Sequence, residues 1–164
     1  MAAESKGTKG ELQVTTPSDR EIAMTRVFDA PRKMVFEAFT KPELVKRWLT
    51  GPPGWTMAVC QIDPKVNGGY RYLWRHDDGK EMGMSGVYRE VAAPERIVTT
   101  EVFDNPWYPG EAVGTVTFAE REGKTTVTNT VLYETKAIRD GALKSGMEKG
   151  VAFSYDRLAA LLAA

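Results

Sequence analysis

The 164-residue sequence has very few residues that bind metals or act as nucleophiles: one cysteine, Cys60, and one histidine, His76. A single cysteine excludes an intramolecular disulfide. No cation adjoins Cys60 in sequence, so a small buried side chain is a better interpretation of it than a reactive thiol. No His, Cys and carboxylate residues have the spacing of a metal site. We therefore predict no catalytic constellation, no metal and no cofactor.

Net charge and long apolar runs are also absent. Lys+Arg and Asp+Glu number 22 each, so no overall field attracts nucleic acid or an anionic membrane. A membrane-spanning helix needs ~20 apolar residues and a secretory signal ~7–15, and the sequence contains neither. We predict a cytoplasmic protein with no nucleic-acid partner and no membrane insertion. A net charge near zero permits a homodimer without requiring one.

The first 19 residues lack aromatic side chains and apolar runs. This composition is typical of a segment that cannot bury a core, so we predict a disordered leader over residues 1–19. Residues 20–164 are then one domain, since domains cluster at about 100–150 residues.

The order of the remaining elements predicts an α+β fold. A strand ends at Phe28, and apolar residues at helical spacing then predict a short helix after Pro31 and a second one opened by Pro42. Short connections between the runs that follow favour antiparallel pairing, and Asp78-Gly79 is typical of a hairpin turn. The six runs cover residues 55–62, 69–75, 81–91, 97–103, 112–119 and 125–133. With the first strand they make seven.

The last segment, from Thr135 to Ala164, is predicted to be one long helix. A lone long helix after a meander of strands packs on the concave face of their sheet, and that geometry tends to leave a pocket. Glycines at positions 141, 146 and 150 interrupt the helix, and each lets it bend or lets another group approach. The apolar face of the helix comprises Leu143, Met147, Val151, Ser154, Leu158 and Leu162.

Several motifs together resemble the START-like (SRPBCC) superfamily, and within it the bacterial relatives of the C-terminal domain of the heat-shock-chaperone ATPase activator. The motifs are TRVFDAP (25–31), VFEAFT (35–40), Arg47-Trp48, GGYRY (68–72), GVYRE (86–90) and MEKG (147–150). The resemblance covers residues 20–164. It implies a helix-grip fold, a seven-stranded curved antiparallel sheet wrapped around the C-terminal helix with a hydrophobic cavity between them. Where relatives often carry an aromatic residue in the last helix, this chain has Val151.

Strand alternation suggests which residues line that cavity. Aromatic and methionine side chains share one face of the two strands that flank the Asp78-Gly79 turn, and they suit an adaptable apolar pocket. For each of them, ordinary core packing is the competing interpretation. The predicted ligand-binding residues are Tyr72, Trp74, His76, Met84, Phe103, Met147 and Val151.

Polar residues near the cavity leave alternatives open. As the one histidine of the sequence, His76 is the natural candidate for an acid or base, but its place beside a hairpin turn favours a solvated rim. Glu101 and Asn129 lie inside strands and face either solvent or the cavity. An inward Glu101 would have its pKa raised by desolvation. Trp107 and Tyr108 fall in a loop stiffened by two prolines, where they pack locally, gate the cavity or contact another subunit.

The predicted function is the binding of a small hydrophobic or amphipathic molecule, without an assigned reaction or catalytic residue. One alternative is a cyclase- or hydrolase-like enzyme that uses the same cavity, with His76 or Glu101 as acid or base. Stimulation of a chaperone ATPase is a further alternative, and it is implied by the resemblance alone.

Overall fold

The computed structural model describes residues 10–104 and 110–164. The chain alternates from strands to helices and back, in an α+β arrangement. Its elements are β1 (Gln13–Thr15), β2 (Glu21–Phe28), α1 (Arg32–Thr40), α2 (Pro42–Trp48), β3 (Trp55–Ile62), β4 (Gly69–His76), β5 (Glu81–Ala92), β6 (Arg96–Phe103), β7 (Ala112–Arg121), β8 (Lys124–Leu132), α3 (Lys136–Lys144) and α4 (Met147–Ala163).

All strands join one antiparallel sheet in the order β1-β2-β8-β7-β6-β5-β4-β3. Strands β3 to β8 form a meander, and β2 closes against β8 over its full length. The helices pack on the concave face. The predicted helix-grip fold is therefore confirmed.

The sheet has eight strands rather than the predicted seven. The extra strand, β1, pairs with Ala23, Met24 and Thr25 at the edge of the sheet. Residues 13–15 thus pair with the domain, although the sequence placed them in a disordered leader. The three side chains of β1 are exposed and carry little strand signal, because backbone hydrogen bonds rather than burial hold such an edge. Residues 1–9 of the predicted leader lie outside the described residues.

The predicted long C-terminal helix is two helices. Thr135 caps the N-terminus of helix α3, and its hydroxyl accepts a hydrogen bond from the Ile138 backbone N–H at 3.1 Å. Ser145 caps the C-terminus, and Gly146 then has a φ of 81° before α4 starts. This left-handed conformation is one that only glycine adopts at low cost, so Gly146 ends one helix and starts the next.

Two alanine substitutions test this break. Gly146→Ala is expected to lower the free energy of unfolding by about 1–2 kcal/mol, the cost of an L side chain in the left-handed region. Gly141→Ala, inside α3, is expected to raise it by about 0.5–1 kcal/mol. An added methyl meets no atom within 4 Å at either position, so the variants differ in backbone conformation alone. Urea denaturation measures both, and effects of the same sign would contradict a break at Gly146.

The short helices α1 and α2 close one end of the sheet. Trp48, at the end of α2, is 2% exposed and donates its indole N–H to the Ala38 carbonyl at 2.8 Å. Its ring lies 4.8 Å from that of Phe39 and 5.9 Å from that of Tyr155 in α4. Trp48 therefore joins both short helices to the C-terminal helix.

Candidate ligand-binding site

A cavity of about 170 Å³ lies between the concave face of the sheet and helices α1, α2 and α4, and it is partly open to solvent. An engineered apolar cavity of about 150 Å³ in another protein binds benzene. Drug-sized ligands occupy roughly 300–1,000 Å³. The cavity therefore has room for about one aromatic ring with small substituents. Its lining comprises Phe39, Val45, Trp48, Leu49, Tyr70, Tyr72, Met84, Tyr88, Ile97, Thr99, Glu101, Val116, Asn129, Val151, Ser154 and Tyr155.

Three tyrosines form one wall of the cavity. The Tyr70 ring lies between those of Tyr72 and Tyr88, with centroids 4.9 Å and 5.9 Å away. Its hydroxyl donates to the Thr100 carbonyl at 2.6 Å. The ring passes over Gly86, where a Cβ would lie 2.6 Å from the ring and 1.9 Å from the Thr100 oxygen. Gly86 thus permits the close approach that fixes Tyr70.

Glu101 faces the cavity from β6. A Cβ at Gly114 on the adjacent strand would lie 2.6 Å from the Glu101 Oε2 atom, so the absence of a side chain there makes room for the carboxyl. Burial raises the pKa of Glu101 from its ordinary value of 4.5 to about 7. Within residues 10–104 and 110–164, no group hydrogen-bonds this carboxyl or compensates its charge. The structure thus settles the open orientation of Glu101 as inward.

The remaining polar atoms of the lining differ in whether they have partners. The Asn129 Oδ1 atom is buried and has no hydrogen-bond partner among the described residues. The Ser154 hydroxyl accepts a hydrogen bond from the Gly51 backbone N–H at 3.1 Å. Outside the lining, burial and then the nearby charge of Glu101 raise the pKa of Tyr133 above its ordinary range. Asn129 therefore also faces inward, and it offers an unused acceptor.

Three of the seven predicted ligand-binding residues line the cavity: Tyr72, Met84 and Val151. Trp74 is buried on the same face but is not part of the lining, and its indole N–H donates to the Leu49 carbonyl at 2.8 Å.

The other three predicted residues lie elsewhere. Phe103 is partly buried and packs where the two apolar clusters of the core meet. The Met147 thioether accepts a hydrogen bond from the Tyr133 hydroxyl at 3.6 Å, outside the cavity lining. His76 lies beside the β4–β5 hairpin, 5.1 Å from the Trp55 ring and 3.0 Å from an Asp78 carboxyl oxygen. Trp107 and Tyr108 lie outside the described residues.

The lining contains aromatic residues that sequence reasoning left out of the site. Tyr70 and Tyr88 share faces with Tyr72 and Met84, so strict alternation would have included them. Asn129 shares a face with buried Val127 and Val131, so strand alternation would likewise have placed it inward. Trp48 and Tyr155 had no comparable signal, because the packing of separate helices brings them to the cavity.

The described part of the chain offers little besides the cavity that could serve as a site. Over residues 10–104 and 110–164, no three His, Cys, Asp or Glu side chains are grouped to hold a metal ion. Over the same residues, no helix is long and apolar enough to cross a membrane. Burial raises the pKa of the Cys60 thiol to about 11, which keeps it protonated at neutral pH. The cavity is therefore the candidate functional site.

A curved antiparallel sheet that encloses a cavity against its C-terminal helix defines a START-like protein of the helix-grip class. A family model described as activator of Hsp90 ATPase homolog 1-like protein matches residues 29–163. The chain belongs to this family, as the sequence motifs predicted.

Solved structures of bacterial proteins share the fold. A crystal structure from Rhodobacter sphaeroides is 29% identical, covers 93% of this chain and 98% of that one, and has a TM-score of 0.88. A crystal structure from Chromobacterium violaceum is 28% identical over 88% of this chain and 98% of that one, with a TM-score of 0.75. A solution structure from Staphylococcus epidermidis is 27% identical over 93% of each chain, with a TM-score of 0.78. None of the curated proteins matches the chain.

Proposed function

We propose that the protein binds a small, largely apolar molecule in the cavity between its sheet and α4. The observation that carries this proposal is the cavity itself, about 170 Å³ with a lining of aromatic and aliphatic side chains and a few convergent polar groups. Ligand sites generally have this composition. The family description refers to activation of a chaperone ATPase, but the cavity favours ligand binding as the role of this chain.

The size of the cavity narrows the range of ligands. A void of about 170 Å³ accommodates a single substituted ring. Sterols and long fatty acids therefore do not fit unless the cavity opens. The ligand that the geometry supports is a one-ring compound with a polar end.

Glu101 favours a second candidate function, an enzyme that uses the same cavity. A carboxyl with a pKa near 7 that faces a cavity has the properties of a general acid or base. Under this alternative the bound molecule is turned over, and Glu101→Gln abolishes turnover while leaving binding in place. Incubation of candidate ligands with the protein, followed by mass spectrometry of the products, separates the two functions.

Filling the cavity tests the binding proposal. Val151 reaches the cavity from α4, so Val151→Trp is expected to fill the void and abolish binding of one-ring probes such as benzyl alcohol. At a hundredfold excess over the dissociation constant, a ligand stabilises the native state by about 2.7 kcal/mol. Ligand-observed NMR and thermal shift measure this gain in the wild-type protein and its loss in the variant.

Lys149→Trp is the matched control, because it places the same side chain on the exposed side of α4. It is expected to bind the probes like the wild-type protein. If no one-ring probe binds the wild-type protein, or if Val151→Trp binds as well as Lys149→Trp, the proposal fails. If there were no void, overpacking by the tryptophan would instead cost about 1–3 kcal/mol of stability.

A further inference from the structure

The lining of the cavity carries one kind of charge. Of the described residues that line it, Glu101 is the one with an acidic side chain, and none is Lys, Arg or His. An anionic ligand would therefore meet a carboxyl and no compensating cation. A fatty-acid carboxylate or a phosphate is the wrong complement for this site.

Glu101 also lacks the partner that a buried carboxylate requires. Buried charges in proteins are normally paired or hydrogen-bonded, because desolvation of a lone ion is costly. Here no described residue supplies a cation or a hydrogen bond to the carboxyl. A further acceptor of the lining, the buried Asn129 Oδ1 atom, has no hydrogen-bond partner among the described residues. The unused groups of the cavity thus call for a ligand that donates hydrogen bonds and brings positive charge.

Aromatic side chains around the cavity favour the same kind of ligand. Tyr70, Tyr72 and Tyr88 form one wall, and Trp48 and Tyr155 line it from the helices. Aromatic rings attract cations through their π faces, and a desolvated site increases this attraction. Proteins recognise organic ammonium groups with aromatic rings, and a carboxylate beside the rings adds an opposite charge.

We propose that the ligand is a small organic cation, a protonated amine on an apolar body about the size of one aromatic ring, with its ammonium group at Glu101. The inference rests on the proposed binding function and specifies its ligand class. The amine supplies the missing counter-charge, and the rings enclose the apolar body. Bound in this way, the ligand keeps Glu101 ionised.

The titratable groups that face Glu101 are tyrosines. Arg26 on β2 acts on Tyr155 of α4 and is paired with Asp156. The tyrosines are Tyr72 from β4 and Tyr133 after β8, which interact with Glu101, and Tyr88 from β5 and Tyr155, which line the cavity with it. Burial raises the pKa of each above its ordinary value. They therefore stay neutral between pH 5 and 9. Over that range, the charge of the cavity changes through Glu101 alone among the described residues that line it.

A matched set of three probes tests the inference: benzylamine, benzyl alcohol and benzoate, titrated by calorimetry at pH 8 and at pH 5.5. The amine is expected to bind at least tenfold tighter than the alcohol at pH 8, and benzoate to bind weakest. Like the lysine side chain, with a pKa of about 10, the amine stays protonated at both values. Its affinity is expected to fall at least tenfold at pH 5.5, where Glu101 is protonated, while that of the alcohol stays constant.

Variants assign the preference to the carboxyl. Glu101→Gln is expected to bind the amine and the alcohol equally, with no dependence on pH. Glu95→Gln removes the same charge from an exposed turn and is expected to behave like the wild-type protein. Gly114→Ala keeps the carboxyl but displaces it, because the new Cβ would lie 2.6 Å from Oε2. It is expected to weaken the amine preference without abolishing binding of the alcohol.

The outcomes separate this inference from the proposed function. If the alcohol or benzoate binds as tightly as the amine at pH 8, or if Glu101→Gln retains the preference, the inference is wrong and the binding function stands. If none of the three probes binds, both are wrong. Tight amine binding that is lost at pH 5.5 and in Glu101→Gln supports both.

Discussion

Replacement of Trp48 by alanine is expected to lower the free energy of unfolding by about 3–5 kcal/mol, the usual cost of removing a buried tryptophan. The side chain is 2% exposed and contacts Phe39 and Tyr155, so its loss leaves a cavity where three helices meet. It also leaves the Ala38 carbonyl without its indole donor. A loss of this size is a large part of the roughly 5–15 kcal/mol that stabilises a typical domain.

Two further variants calibrate the result. Trp48→Phe keeps an aromatic ring but removes the hydrogen bond, so we expect a smaller loss of roughly 1–2 kcal/mol. Met34→Ala removes an exposed apolar side chain from α1 and is expected to stay within about 0.5 kcal/mol of the wild-type protein. Urea denaturation followed by circular dichroism measures all three. If Trp48→Ala costs no more than Met34→Ala, α2 does not close the sheet as described.

The sequence predicted most of the fold because hydrophobic period and turn chemistry agree along most of the chain. Strand β3 matches its predicted bounds, and the other main strands differ by one or two residues at their ends. Gly79 at the predicted Asp78-Gly79 turn has a φ of 95°, as a hairpin turn of this kind requires. Strand alternation and turn residues depend on only a few neighbouring residues, so the sequence alone predicts these elements.

Features that depend on distant contacts were not predictable in the same way. Backbone pairing with β2 holds strand β1 at the edge of the sheet. The three-residue sequence of β1 is too short to predict that pairing. The sequence marks Gly146 as an interruption of the helix, and its φ of 81° in the structure decides between a bend and a break. The apolar residues keep helical spacing across the break at Gly146, so periodicity alone predicts one continuous helix.

The candidate site also combines residues that local patterns predict with residues that only distant contacts place. Alternation puts Tyr72 and Met84 on the face that lines the cavity, and it puts Trp74 on the same face although Trp74 is not part of the lining. The sequence does not decide whether the Glu101 side chain faces the cavity or solvent, because a polar residue in a strand usually faces solvent. The room for its carboxyl comes from Gly114 on the next strand, which only the register of β6 and β7 reveals.

The burial of Glu101 predicts a measurable dependence of stability on pH. Its pKa is about 7 in the folded protein, compared with an ordinary value of 4.5. Below pH 4.5 the carboxyl is protonated in both states and costs nothing. Between pH 4.5 and 7 the unfolded chain releases this proton while the folded protein keeps it, so stability falls as pH rises. Above pH 7 both states are ionised, and the penalty is constant.

Glu101→Gln is expected to remove this penalty. Each pKa unit is worth about 1.4 kcal/mol, so the difference corresponds to on the order of 3 kcal/mol. Relative to the wild-type protein, the variant should gain stability from pH 4.5 to 7 and show a constant advantage at pH 8. Urea denaturation at several pH values measures the difference, and Glu95→Gln should show none. A difference that does not change between pH 4.5 and 8 would show that the Glu101 carboxylate is already compensated in the folded protein.

The same measurement links stability to the ligand. A protonated amine at Glu101 supplies the counter-charge that the described residues lack, so saturating benzylamine should stabilise the wild-type protein more at pH 8 than at pH 5.5. Benzyl alcohol, which brings no charge, should stabilise the protein equally at both values. In Glu101→Gln the two probes should act alike, because the variant has no carboxylate to neutralise. Stabilisation by benzylamine that is the same at both pH values would mean that the amine binds away from Glu101.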